Sequence, residues 1–329
     1  MAAKDELAEL LQFLAADNAQ LRVQAAEIVQ GLTGSDSGAA ELVDRADEVV
    51  PPLLRLVSRP GQEALLAATC LTNLTAHHRA AEAALGHGAV DRALEVIHSV
   101  ECKARVRSLL LMVVSNLTTH AEGTAQLLKL GRGQLEGFHL WHLLQLLSVD
   151  AEENAHAGGV LANATAQPPG RALLLRGGAD AAQVLARVLL SRTAPLPARE
   201  GAAVALRNLA IDPATRSALL LAKEAVVAAL LLPLRPPHAA CDAALREACA
   251  DGVESFAADD DGRKALWAAG AVELLQRCYE EEKEPAVCAA LESAVRASFG
   301  GCRHRSASLT RLHRTRRSTW SAPAARSRV

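Results

Sequence analysis

Four short segments carry the residues best suited to chemistry, and they resemble one another. They read "CLTNLT" (70–75), "VVSNLT" (113–118), "VLANAT" (160–165) and "VALRNLA" (204–210), and centre on Asn73, Asn116, Asn163 and Asn208. An Asn side chain offers an acceptor and two N–H donors, so a regular series of them can pair with the backbone of a peptide of any sequence. The bland alternative is that each Asn caps its helix end or bonds a neighbouring loop and holds repeats in register. Three of the four segments also spell Asn-x-Thr, the acceptor triplet for N-glycosylation. Met1–Leu7 shows no basic stretch followed by an apolar one, so no secretory signal is read and no glycosylation is expected. Arg207 is the one charged residue within the four segments, placed either to meet an acidic partner or to pair on the surface.

Other reactive types do not assemble into a site. His139 and His142 stand three apart in "FHLWHLL", a spacing that suits two metal ligands, but no Cys or carboxylate pattern completes the set. Asp259-Asp260-Asp261-Gly262 lacks the spaced acids and closing Glu of a calcium loop and reads as a helix-capping loop. Glu280-Glu281-Glu282 reads as a solvated helix end. Neither a GxxxxGK[ST] phosphate loop nor a GxSxG elbow occurs, so no enzyme, cofactor or metal is expected. The 7 Cys are odd in number and scattered, with no CxxC pair, and read as reduced thiols of a cytoplasmic or nuclear protein. Cys70 falls on an apolar helical stripe and reads as core.

The elements that hold these residues follow from composition and period. Half of the 329 residues are apolar, yet only 8 are aromatic, so the core is Ala, Leu and Val and the chain is expected to be all-α. The Asn positions lie 43, 47 and 45 residues apart. Gly31 stands 42 residues before Asn73, and Ser255 stands 47 after Asn208; Ser293 marks a weaker last unit. Fifteen residues after the Asn-equivalent stands Gly88, Gly131, Gly178 or Gly270, with Ala46 and Lys223 as exceptions. A left-handed residue is predicted there, between a short helix and the next one. In the Asn-bearing helix Leu66, Cys70 and Leu74 form one apolar stripe and Ala67 with Leu71 a second, as expected for a helix sandwiched in a stack.

A period of 40–47 residues with two or three helices per unit points to armadillo or HEAT repeats. The expectation is a right-handed superhelical solenoid over 1–300, with about six units and a seventh, incomplete one at its C-terminal end. The position four before each Asn is Thr69, Met112, Gly159 or Val204, never Trp. The stacking shelf of nuclear-import armadillo receptors is therefore missing.

Three stretches together resemble the Hgh family of eukaryotic armadillo-type proteins: "LLQFLAADNAQLRVQAAEIVQGLTG" (10–34), "GAAVALRNLAID" (201–212) and "VVAALLLPLRPP" (226–237). "GRKALWAAGAVELLQRCYEEEKEPAVCAALESAV" (262–295) looks like that family's last repeat. The resemblance covers about residues 6–300. It implies a cytosolic adaptor in the folding of translation elongation factor 2, with the eukaryotic chaperonin as second partner. A general armadillo scaffold, for peptide binding or trafficking, is the alternative. One departure stands out: where the family carries an acidic segment, residues 301–329 hold 8 Arg and no acid. That switch reads either as a disordered basic arm or as a gene-model artefact. It leaves 27 basic against 37 acidic residues before position 301, a body of net charge −10. Such a body repels phosphate, and few aromatics are available to stack bases, so protein partners are expected rather than nucleic acid or membrane. A monomer is expected.

Overall fold

The structure, a computed structural model, describes residues 2–176, 180–235 and 242–299. Among these, every regular element is helical: twenty α-helices and three short 3-10 turns. The helices fall into three parallel series. One comprises α1 (Ala2–Leu14), α4 (Ala46–Leu56), α7 (Ala89–His98), α10 (Phe138–Leu147), α13 (Asp180–Leu190), α16 (Lys223–Leu231) and α19 (Ala271–Glu281). The second holds α2 (Ala19–Thr33), α5 (Gln62–Thr75), α8 (Ala104–Thr118), α11 (Ala157–Ala166), α14 (Leu196–Ile211), α17 (Ala243–Phe256) and α20 (Pro285–Phe299). Short linking helices make the third: α3 (Asp36–Asp44), α6 (His78–Gly86), α9 (Ala121–Leu128), α12 (Pro168–Leu174), α15 (Pro213–Leu219) and α18 (Asp260–Ala268).

The second series is the spine. Each of its helices packs on the next, from α2 through α5, α8, α11, α14 and α17 to α20. Each also packs against the first-series helix of its own unit. The predicted stripes occupy these contacts: Ala67, Cys70 and Leu71 are fully buried, with Leu66 and Leu74 nearly so. Burial pushes the Cys70 thiol up to about 12, so it behaves as core. A core of Ala and Gly lets the spine helices approach closely. A Cβ on Gly201 would lie 2.1 Å from the backbone carbon of Gly158 at the α11–α14 crossing.

The chain is thus an α-solenoid of six three-helix units preceded by the pair α1–α2. The last unit is not the incomplete one expected. Position 31 is Gly, so no Asn marks the pair α1–α2, whereas the final unit has all three helices despite its shorter spacing. Gly88 and Gly270 adopt the predicted left-handed conformation, with φ of 71° and 68°, at the starts of α7 and α19. Gly131 also has positive φ, but there Lys129 ends α9 and the chain loops on to Gly137 before α10. Gly178 and the tail 301–329 lie outside the described residues.

A second Gly, seven residues after the Asn position, escaped the sequence reading. Cβ atoms on Gly38, Gly123, Gly170 and Gly262 would fall 2.5, 2.1, 1.9 and 2.1 Å from a carbonyl oxygen near the end of the preceding spine helix. At these four units the close approach leaves no room for a Cβ, whereas Ala80 and Thr215 hold the equivalent position in α6 and α15. Glu282 is also corrected. It is 5% exposed and bonds Arg246 of α17 at 2.8 Å, rather than sitting in solvent. Burial pushes its carboxyl up, but Arg246 and the N–H groups of Glu284 and Lys283 hold it below the ordinary range.

Candidate functional site

The Asn positions come together as one ladder, and each rung points backwards along the solenoid. Asn208 Nδ2 donates to the Ala162 carbonyl at 3.1 Å and to Thr165 Oγ1 at 3.2 Å. Asn163 repeats the pattern on Ser115 (2.9 Å) and Thr118 (3.1 Å), and Asn116 on Thr72 (3.3 Å) and Thr75 (3.2 Å). Asn73 reaches Thr33 Oγ1 alone, at 2.9 Å. Both amide hydrogens of Asn116, Asn163 and Asn208 are therefore committed to the preceding unit. The carbonyl partner can only accept, so the NH2 must face it. Each Thr hydroxyl gives its own proton to a carbonyl of its helix, for Thr165 that of Leu161 at 2.8 Å, and so accepts from the Asn.

This geometry gives the Asn-x-Thr triplet its reason. The Asn looks back to the unit before, and the Thr two residues on receives the Asn of the unit after. The ladder opens with Thr33, whose unit has Gly31 for Asn, and closes with Asn208, whose unit has Ala210 for Thr. Its contacts span 40–48 residues, so no local pattern reveals them. Toward a bound peptide Asn116 and Asn163 retain only Oδ1, an acceptor; Asn73 also keeps one N–H, and Asn208 Oδ1 already faces Arg207. Asn73 is exposed, Asn116 and Asn163 half-buried and Asn208 buried.

Each spine helix leaves a strip open at positions four before and three after the Asn position, and also at eight and one before it except in α5, where Thr72 is buried, and in α11, where Ala155 and Ala162 are buried. In α5, α8 and α11 this face is uncharged: Thr69, Ala76, Met112, Ser115, Gly159 and Ala166 represent it. In the last three helices it becomes acidic, with Glu200, Glu247, Asp251, Glu254 and Glu292 against Arg207 and Arg296. Arg207 reaches forward to Asp251 of the next unit at 3.5 Å, and its other nitrogen lies 3.4 Å from Asn208 Oδ1. Burial raises the Asp251 carboxyl although Arg207 pulls it down; burial and the charge of Asp242 raise Glu200. Within the acidic stretch Glu292 pairs with Arg296. Among the described residues, no cation pairs with Glu200, Glu247 or Glu254.

His139 and His142 meet a third imidazole that the sequence reading missed, His98 at the end of α7. The His98 ring centroid lies 3.9 Å from that of His142 and 5.3 Å from that of His139. Burial, then the charges of neighbouring imidazoles, lowers His98 to about 4. Burial and Lys129 lower His139 to about 4, against the opposing pull of Asp91. Among the described residues no three His, Cys, Asp or Glu are grouped to hold a metal ion. Asp259 caps α18, accepting from the N–H groups of Asp261 and Gly262. Among the described residues, no helix is long and apolar enough to cross a membrane.

Comparison with known proteins identifies the architecture. Residues 98–243, less than half of the chain, match the model of a domain of unknown function, DUF383. No curated protein matches the sequence. Among solved structures, an engineered protein superposes with a TM-score of 0.74 at 21% identity, covering 93% of this chain and 71% of its own. A designed armadillo repeat protein in complex with the peptide (KR)4 gives 0.61 at 17% identity, over 76% of this chain and 99% of its own. A chain from a structure concerning a phosphorylation switch in the interaction between cadherin and beta-catenin gives 0.71 at 17%, over 88% and 60%. The fold is that of armadillo repeat proteins.

Proposed function

We propose that the protein is a non-enzymatic interaction scaffold whose open spine face holds a basic segment of a partner protein. The observation that carries this reading is the acidic stretch on α14, α17 and α20, in which Glu200, Glu247 and Glu254 have no pairing cation among the described residues. An Asn ladder whose donors at Asn116, Asn163 and Asn208 are occupied with the preceding units supplies rigidity and register rather than a donor row for a guest. The designed armadillo protein bound to (KR)4 shares the architecture and takes a basic peptide.

The finer reading rests on the resemblance to the Hgh family: the partner is translation elongation factor 2, and the chain is a cytoplasmic adaptor linking that client to the chaperonin. The test is capture of bound proteins on the purified full chain, identified by mass spectrometry, followed by titration with purified elongation factor 2. Recovery and saturable binding of the factor support the adaptor. Binding of other basic proteins but not of the factor leaves the general scaffold. Loss of all capture by the E200Q/E247Q/E254Q variant, with the fold intact, locates the contact on the open face.

A further inference from the structure

We propose that the acidic stretch of the open face, across α14, α17 and α20, is the docking site of this chain's own arginine-rich segment 303–317. Charge and reach both point to that occupant. The segment carries six Arg and no acid. The face it would meet holds Glu200, Glu247 and Glu254 without a pairing cation among the described residues. Guanidinium forks match carboxylates in a two-point geometry that a Lys ammonium cannot offer.

Reach is ample. The last described helix, α20, carries Glu292 of the acidic stretch and ends at Phe299. Neighbouring helices pack about 8–10 Å apart, so α14 lies roughly 20 Å from α20. The chain from 300 to 314 spans up to about 46 Å when extended.

The inference goes beyond partner binding, because it covers the face in the free protein and makes any basic partner a competitor of the tail. It shares the acidic face with that reading, but its test uses the purified full chain alone. Trypsin cuts after Arg, so a docked segment is cut slowly. A synthetic peptide of residues 301–329 serves as the rate standard in each buffer. At about 50 mM salt, where exposed charges are weakly screened, the tail of the parent should be cut roughly tenfold more slowly than that of E200Q/E247Q/E254Q. At about 0.5 M salt the parent should lose its protection while the variant changes little. The salt arm uses the parent only, so it decides the matter even if the triple variant folds poorly. Equal cutting of the tail and the standard at low salt overturns the proposal. Protection that fades on dilution also overturns it, because it assigns the tail to a second copy of the chain.

Discussion

Replacing Asn208 by Ala tests the ladder where it is most buried. Asn208 is 5% exposed and makes two neutral hydrogen bonds to the preceding unit, at 3.1 and 3.2 Å. Each such bond is worth a net of about 0.5–1.5 kcal/mol, so the loss should be about 1–3 kcal/mol. Asn208→Asp should be worse than Ala. It keeps the size but turns a donor into a second oxygen aimed at the Ala162 carbonyl, and it buries a charge. Asn73→Ala should cost less than about 0.5 kcal/mol, because its single bond is exposed and water replaces it. The assay is urea unfolding followed by circular dichroism, with the four Asn→Ala variants ranked by midpoint. The order should run Asn208, then Asn163 and Asn116, then Asn73. Because stability in a solenoid is a sum over units and interfaces, Asn208→Asp should also broaden the transition by uncoupling α11 from α14. If Asn208→Ala and Asn208→Asp both unfold at the parent's midpoint, the ladder does not hold the units together.

Three further outcomes follow from the same structure. Gly170→Ala should destabilise by more than about 2 kcal/mol, since its Cβ would lie 1.9 Å from the Ala164 oxygen, while Gly31→Ala, with nothing within 4 Å, should stabilise by about 0.5–1 kcal/mol; melting temperatures of the pair decide. Arg246→Ala should cost about 3–5 kcal/mol by stranding the buried Glu282 carboxylate, and Arg246→Met with Glu282→Leu should recover most of it, as read by urea midpoints. His98 and His139 are held near 4 in the fold, below their ordinary value, so their contribution is fully present above about pH 6.5 and is lost as pH falls toward 4. The urea midpoint should drop over that window, and His98→Gln with His139→Gln should flatten the drop.

The repeat was legible because its marks are local. Ala–Leu stripes, the Asn near the end of four spine helices and Gly88 or Gly270 at a left-handed turn are all set within one unit. What stayed hidden depends on pairs of units. The partner of each Asn is a Thr about 40 residues earlier, so the sequence could pose the choice between peptide binding and register without deciding the rungs. His98 joins His139 and His142 only because α7 and α10 stack in space. Glu282 looked solvated because its partner Arg246 lies 36 residues away. Gly38, Gly123, Gly170 and Gly262 were visible at a fixed offset and could have been found, but their role lies in the backbone they approach. The sequence reading asked of Thr69, Met112, Gly159 and Val204 only whether Trp stood there, and all but one of the acids of the open face lie on α17 and α20, which carry no Asn.

The most direct test of the account is the equilibrium affinity of the full chain for purified elongation factor 2, measured for the parent, E200Q/E247Q/E254Q and Asn163→Ala. The account predicts saturable binding to the parent that weakens with salt. It also predicts a loss of roughly tenfold or more in the acidic-face variant, about 1.4 kcal/mol, and a small change in Asn163→Ala, whose donors face inward. Binding by the acidic-face variant as tight as the parent's, with Asn163→Ala strongly impaired at unchanged stability, contradicts it and makes the Asn ladder the contact surface instead.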